Sequence, residues 1–119
     1  LAKKRPVTHD ARSLAGRMMT ELRGAEAAHE TMLAAVDRNA PSAETVNEVM
    51  IGKSLGADHS IRAVELAMEL ASGAGFYRSA GLERRFRDIQ GARYHAMQRG
   101  AQSQYAGAMA LGESVATVF

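Results

Sequence analysis

The sequence predicts an all-α protein that folds as an antiparallel helix bundle, and three observations support this prediction. Two stretches of about 30 residues carry apolar side chains at three- and four-residue steps, as one face of an α-helix requires. Hydrophobic residues make up 46% of the 119 residues and aromatic residues only 5%, so alanine and methionine supply much of the packing surface. The chain contains only two prolines. We therefore expect one domain, residues 1–119, built from long helices that pack closely through small side chains.

The first predicted helix covers about residues 8–38. Thr8 or Asp10 can cap its start, because a side-chain oxygen at that place accepts a free backbone N–H. Pro41 ends it, since proline disfavours the helical conformation of the residue before it. Seven apolar residues at helical spacing are expected to form one buried stripe: Leu14, Met18, Leu22, Ala25, Met32, Leu33 and Val36.

The second predicted helix covers about residues 42–72, with Pro41 in its first turn. Its apolar residues lie on more than one side, which is typical of a helix at the centre of a bundle. Gly73 and Gly75 follow it. These glycines either end the helix by adopting positive φ or let backbone N–H groups approach a ligand closely.

The third helical region covers about residues 81–112 and is expected to be broken near residues 97–100. Gly91, Gly100 and Gly107 weaken it by roughly 1 kcal/mol each relative to alanine. Three helices joined by short turns pack as a bundle but leave one apolar stripe uncovered. A fourth helix or a partner subunit is therefore expected.

Composition and charge narrow the classes of function. The 15 basic and 13 acidic residues give a net charge of +2, so the cluster of six arginines between Arg78 and Arg99 is local. Such a cluster suits a solvated helix face, the rim of an anionic site or a nucleic-acid groove, but no nucleic-acid-binding motif accompanies it. The absence of cysteine excludes disulfides and indicates a reducing, cytoplasmic location. The apolar runs are too short to span a membrane.

The four histidines do not predict a metal site. No two of them have the four-residue spacing that would let them hold one ion on a helix, and no His-Glu-x-x-His pattern occurs. His29 lies close to the apolar stripe of the first helix and is expected to be partly buried. His95 lies where the third helix weakens, so it either caps a helix or belongs to a site.

Three short segments follow a long helix in an order that resembles a known family. They are Gly-x-Gly-Phe at 73–76, Leu-Glu-Arg-Arg-Phe-Arg-Asp at 82–88 and Tyr-Ala-Gly-x-Met-Ala-Leu-Gly at 105–112. Together they resemble the C-terminal helical domain of the acyl-CoA dehydrogenase superfamily. The resemblance implies a flavoenzyme with an N-terminal helical domain, a middle β domain and a C-terminal four-helix bundle at the core of a tetramer. This chain resembles the last three helices of that bundle.

The resemblance also implies a flavin site shared with other polypeptide. FAD, or reduced FMN or FAD, would be held mainly by other domains, with Glu69, Gly73 and Gly75 at positions that contact the flavin in the family. Glu69 stands where the family usually has Gln, and Ser72 replaces the first glycine of the loop. The implied partners are further copies of the chain or a companion polypeptide with the flavin domain. The implied substrate is an acyl-CoA.

The residues at positions 95 and 96 do not decide which reaction of the superfamily, dehydrogenation or monooxygenation, the resemblance implies. Many acyl-CoA dehydrogenases carry the base that removes the α-proton nine residues after the position of Arg87, where this chain has Ala96. Flavin-dependent monooxygenases of the same fold, which act on small aromatic substrates, often have a histidine eight residues after it, where this chain has His95. His95 is thus a candidate catalytic residue. A helical oligomerisation module without chemistry of its own is the third interpretation.

Overall fold

The computed structural model describes residues 7–38, 40–71, 81–94, 98–116 and 118. Within these ranges every regular element is helical: α1 (His9–Arg38), α2 (Ala43–Ala71), α3 (Leu82–Ile89), a 3-10 helix (Gln90–Arg93) and α4 (Arg99–Leu111). The prediction of an all-α fold is therefore confirmed. None of the described helices combines the length and the apolar character that a membrane span requires.

Side-chain oxygens set the starts of the two long helices. Thr8 Oγ1 accepts a hydrogen bond from the Ala11 N–H at 3.0 Å, in the cap position that its place in the sequence predicts. Ser42 Oγ accepts a hydrogen bond from the Thr45 N–H at 3.2 Å, so α2 begins directly after Ser42. Pro41 therefore lies just before the helix and not in its first turn.

Helices α1 and α2 form an antiparallel hairpin whose contact surface is built from small residues. A side chain placed on Gly24 would bring its Cβ to 2.8 Å from the ring of His59, and one on Gly52 would overlap Met32. The glycines thus allow α1 and α2 to lie closer together than any larger residue at these positions would permit. The pairs that face each other run in opposite directions along the two helices: Gly24 with His59, Ala28 with Gly56, and Met32 with Gly52.

The face of α1 that packs on α2 differs from the stripe that the sequence predicts. Ala28 and Ala35 are buried, whereas Leu22, Leu33 and Val36 are 39%, 52% and 59% exposed. The reason is that close packing of two helices selects small side chains, while apolar periodicity gives most weight to large ones. Met19, Leu22, Leu33 and Val36 are consequently turned outward, whereas Leu14, Met18 and Met32 of the same helix are half-buried.

Helix α2 is central, as its two-sided apolar pattern predicts. It packs against α1 on one side and against α3, the 3-10 helix and α4 on the others. Ile61, Ala63 and Leu66 are buried along it, and Tyr105 of α4 joins this core. The Tyr105 hydroxyl donates a hydrogen bond to the backbone oxygen of Ala43 at 3.4 Å, at the start of α2. This bond connects the last helix to the beginning of the central one.

The α-helical backbone of the third region ends earlier than the predicted break near residues 97–100. Helix α3 ends at Ile89, and the backbone tightens into a 3-10 turn in which the Tyr94 N–H donates to the Gly91 oxygen at 3.1 Å. Gly91 has a low helix propensity, which explains why the α-helix does not continue here. Helix α4 begins at Arg99, and residues 95–97 lie outside the described ranges.

The close contact between α1 and α2 generates a stability prediction with a matched control on the same helix. Gly52→Ala should lower the free energy of unfolding by about 1–3 kcal/mol, because the new methyl group collides with Met32 and outweighs the gain in helix propensity. Gly56→Ala should be neutral or stabilising by up to about 1 kcal/mol, because its Cβ would lie 4.0 Å from that of Ala28. Denaturant unfolding followed by circular dichroism measures both changes. Equal effects at the two positions would contradict the proposed packing.

Candidate functional site

A pocket opens where the 3-10 helix and the start of α4 meet the middle of α2. Its volume is about 170 Å³. Helix α2 supplies one wall, and the residues on either side of the 95–97 segment supply the other. The lining residues are Lys53, Ser54, Ala57, Asp58, Ile61, Ala92, Arg93, Gln98 and Arg99.

Three cations and one carboxylate line this pocket and determine its electrostatics. Arg99 forms an ion pair with Asp58 that connects α4 to α2. Arg93 is half-exposed, and its Nη2 atom lies 3.9 Å from Glu65 Oε1, which is a long ion pair. Lys53 is half-buried and forms no ion pair within the described part of the chain. With one carboxylate against three cations in its lining, the pocket favours an anionic group such as a phosphate or a carboxylate.

The remaining described arginines of the cluster behave as a solvated helix face. Arg87 Nε lies 2.8 Å from Glu83 Oε1, and Arg84 Nε lies 3.7 Å from Asp88 Oδ2, both at i,i+4 spacing along α3. The arginine-rich segment is therefore divided. Arg84 and Arg87 of α3 form local ion pairs, whereas Arg93 and Arg99 line the pocket.

The site residues named from the sequence are only partly within the described ranges. Glu69 is exposed in the last turn of α2. Gly73, Gly75 and His95 lie outside the described residues, so their roles stay predictions. The pocket nevertheless contains residues from both sides of His95 in the chain, because Arg93 precedes it and Gln98 follows it.

Sequence reasoning missed a polar link between the two long helices. His59 Nδ1 lies 2.6 Å from Glu21 Oε2, with the side chains 35% and 28% exposed. Gly24, one turn after Glu21, leaves room for the imidazole ring. The signal that could have revealed this pair is the antiparallel register of the hairpin. His29, expected to be partly buried, is instead exposed.

The described residues offer no cluster for a metal ion. No group of three or more His, Cys, Asp or Glu side chains comes together in the described ranges. The polar groups that line the pocket are three cationic side chains, the amide of Gln98, the hydroxyl of Ser54 and the carboxylate of Asp58. Their net positive charge favours an anion over a cation.

One comparison with known proteins gives a match. A family model described as "Acyl-CoA dehydrogenase, C-terminal domain" matches residues 3–99. This range includes α1, α2, α3 and the 3-10 helix and ends at the first residue of α4. No curated protein and no solved structure gives a significant match.

The Glu21–His59 pair generates a prediction that a double-mutant cycle can test. Glu21→Ala and His59→Ala should each destabilise the chain, and their coupling energy should be about 1 kcal/mol because the pair is partly shielded from water. The matched control is Arg23 with Glu26, a solvent-exposed pair within α1, for which the coupling should be below about 0.5 kcal/mol. A coupling energy for Glu21 and His59 no larger than that of the control would refute a stabilising link between the helices.

Proposed function

The chain belongs to the acyl-CoA dehydrogenase C-terminal domain family, and we propose that it is the helical C-terminal part of a flavin-dependent oxidoreductase. In this role it contributes subunit contacts and one wall of the flavin and substrate site. The observation that carries the proposal is the family match over most of the chain. The open apolar face of α1 and the cationic pocket agree with it.

The described residues are suited to form one wall of a flavin site, but they do not form a complete site. A pocket of about 170 Å³ is smaller than the roughly 300–1,000 Å³ that sites for drug-sized ligands occupy. Its cations match the diphosphate of a dinucleotide or of coenzyme A, which both carry negative charge. We propose that Lys53 and Arg93 balance this charge, while the ring system lies against other polypeptide.

A bound flavin would supply the acceptor for the hydride that leaves an acyl-CoA substrate. The part of this chain would be to bind and orient the anionic portion of the ligands. By the family resemblance, Glu69 and the backbone of Gly73 and Gly75 would contact the flavin. A carboxylate at position 69 repels a neighbouring phosphate, so this contact would be weaker than one made by the usual glutamine. The base that removes the α-proton would come from elsewhere, since Ala96 has no titratable group.

A monooxygenase using reduced flavin is the second candidate, and the sequence at positions 95 and 96 favours it. His95 is, apart from Tyr94, the only titratable residue between Arg93 and Gln98. An imidazole titrates near neutral pH and can therefore transfer a proton to or from a phenolic substrate. A small aromatic compound would be the substrate in this case.

The proposal predicts that the complete protein encoded with this chain retains flavin and acts as an oxidoreductase. Lys53→Glu and Arg93→Glu should each weaken binding of FAD or of an acyl-CoA at least about fivefold, because a carboxylate then faces the anion. Arg84→Glu is the matched control and should stay within about twofold, because Arg84 is an exposed residue of α3. Isothermal titration and the visible flavin spectrum measure these effects. A complete protein that neither binds nor reduces or oxidises flavin would instead support a helical module without chemistry.

His95→Ala distinguishes the two oxidoreductase candidates. If the protein is a monooxygenase, the variant should lose hydroxylation about 100-fold or more while it keeps its flavin, because a positioned acid–base group is removed. If it is a dehydrogenase whose base lies elsewhere, flavin reduction by acyl-CoA should change much less. Stopped-flow measurement of flavin reduction and reoxidation separates the two results. Tyr94→Phe, at an exposed residue next to His95 that does not line the pocket, is the control for disturbance of the segment and should change neither rate.

A further inference from the structure

The ion pair between Asp58 and Arg99 lies inside the pocket that the proposed function assigns to an anion. Arg99 Nη2 donates a hydrogen bond to Asp58 Oδ1, and both residues belong to the lining. Asp58 is the one carboxylate of that lining. It therefore makes with Arg99 the kind of contact that the negative group of a ligand would make.

The other two cations of the pocket are paired less closely. Lys53 forms no ion pair within the described part of the chain. Arg93 Nη2 lies 3.9 Å from Glu65 Oε1, and Glu65 is shared, because its Oε2 atom accepts a hydrogen bond from Arg62 Nη1 at 3.3 Å. Lys53 and Arg93 therefore keep most of their positive charge for a ligand, unlike Arg99.

The pair of Asp58 and Arg99 is exposed enough to exchange partners. Its side chains are 44% and 58% exposed, so a released carboxylate regains its hydration. Ion pairs at such exposure are weak, and a stronger anion can displace one partner at little cost. Helix α4 stays attached to α2 when the pair opens, because the Tyr105 hydroxyl donates a separate hydrogen bond to the Ala43 oxygen at 3.4 Å.

We propose that Asp58 is an internal competitor for the ligand: a diphosphate group that enters the pocket takes its place on Arg99 and binds all three cations. A diphosphate carries a negative charge on each phosphorus atom, so it attracts Arg99 more strongly than the single charge of Asp58 does. A ligand carboxylate has no such advantage and leaves the pair closed, because Asp58 is the same group and the fold already holds it next to Arg99. The inference rests on the anion site of the proposed function, and it names the ligand class and the regulation of that site.

The exchange makes ligand binding and the contact between Asp58 and Arg99 mutually exclusive. By linkage, removal of the Asp58 charge strengthens ligand binding, and ligand binding removes the energetic coupling between the two residues. Both halves of this relation can be measured.

Isothermal titration of pyrophosphate into the full chain tests the first half. Asp58→Asn should bind pyrophosphate about three- to fivefold more tightly than the unmodified chain, because Arg99 is then free. The matched control is Asp88→Asn, which removes the same charge from an exposed ion pair with Arg84 on α3 and should stay within about 1.5-fold. Circular dichroism checks that the variants remain helical, and Asp58→Ala, with its higher helix propensity, replaces Asp58→Asn if that variant does not. Unchanged or weaker binding by a helical Asp58 variant would overturn the proposal.

A double-mutant cycle of denaturant unfolding tests the second half. The coupling between Asp58→Asn and Arg99→Gln should be measurable without ligand and should vanish in pyrophosphate that saturates all four proteins, because the ligand has then separated the pair. Sodium acetate at the same ionic strength should leave the coupling in place, and the coupling of Arg84 with Asp88 should be equal in the two salts. A coupling that persists in pyrophosphate, or one that acetate also removes, would contradict the exchange.

Competition identifies the source of the diphosphate. FAD or coenzyme A should displace pyrophosphate from the complete protein that contains this chain, and the compound that does so supplies the group. Displacement by neither compound, or a complete protein without flavin, would count against the proposed function and not against the exchange.

Discussion

The close approach of α1 and α2 is the constraint on which the rest of the structure depends. Gly24 leaves space for the ring of His59, and Gly52 leaves space for Met32. Since each contact requires a particular residue on the facing helix, these glycines fix the antiparallel register through shape. The same register brings Glu21 to 2.6 Å from His59. A larger residue at either glycine would therefore disturb both the packing and the polar link.

This way of packing has a consequence for the core. Because Ala28 and Ala35 face α2, four large apolar side chains of α1 stay exposed: Met19, Leu22, Leu33 and Val36. Among the described residues, Leu66 is the one large side chain that is fully buried. A chain of this size with few large buried side chains gains little from hydrophobic burial alone. Other polypeptide that covered the apolar surface left exposed by folding would therefore add stability. The exposed apolar side chains of α1 and its close contact with α2 therefore have the same cause, namely that the small residues of α1 face α2.

Features that depend on residues close in the sequence, such as helix starts, could be predicted from the sequence. Contacts between residues far apart in the sequence could not. The start of α1 followed from Thr8, since a cap acts within one turn. The buried stripe was wrong for Leu33 and Val36, because periodicity weights side-chain size whereas this contact selects small residues. The Glu21–His59 pair joins residues 38 apart and requires the register to be known. The pocket was missed for the same reason, because its α2 wall lies far in sequence from its two arginines. The all-α fold class was nevertheless predicted correctly, because it depends only on the three- and four-residue spacing of the apolar residues.

The division of the arginines indicates how this chain could take part in catalysis without containing a complete site. Interactions with a remote, unreactive part of a substrate can provide the binding energy that holds the reacting part in place. Under the proposed function Lys53 and Arg93, which line the pocket, would play this role, because a diphosphate held by them would be anchored at the bundle. His95, the candidate catalytic residue, follows Arg93 by only two residues in the sequence. Under the proposed function, anchoring and proton transfer would then depend on one short segment between α3 and α4, while the flavin would be held mainly by other polypeptide.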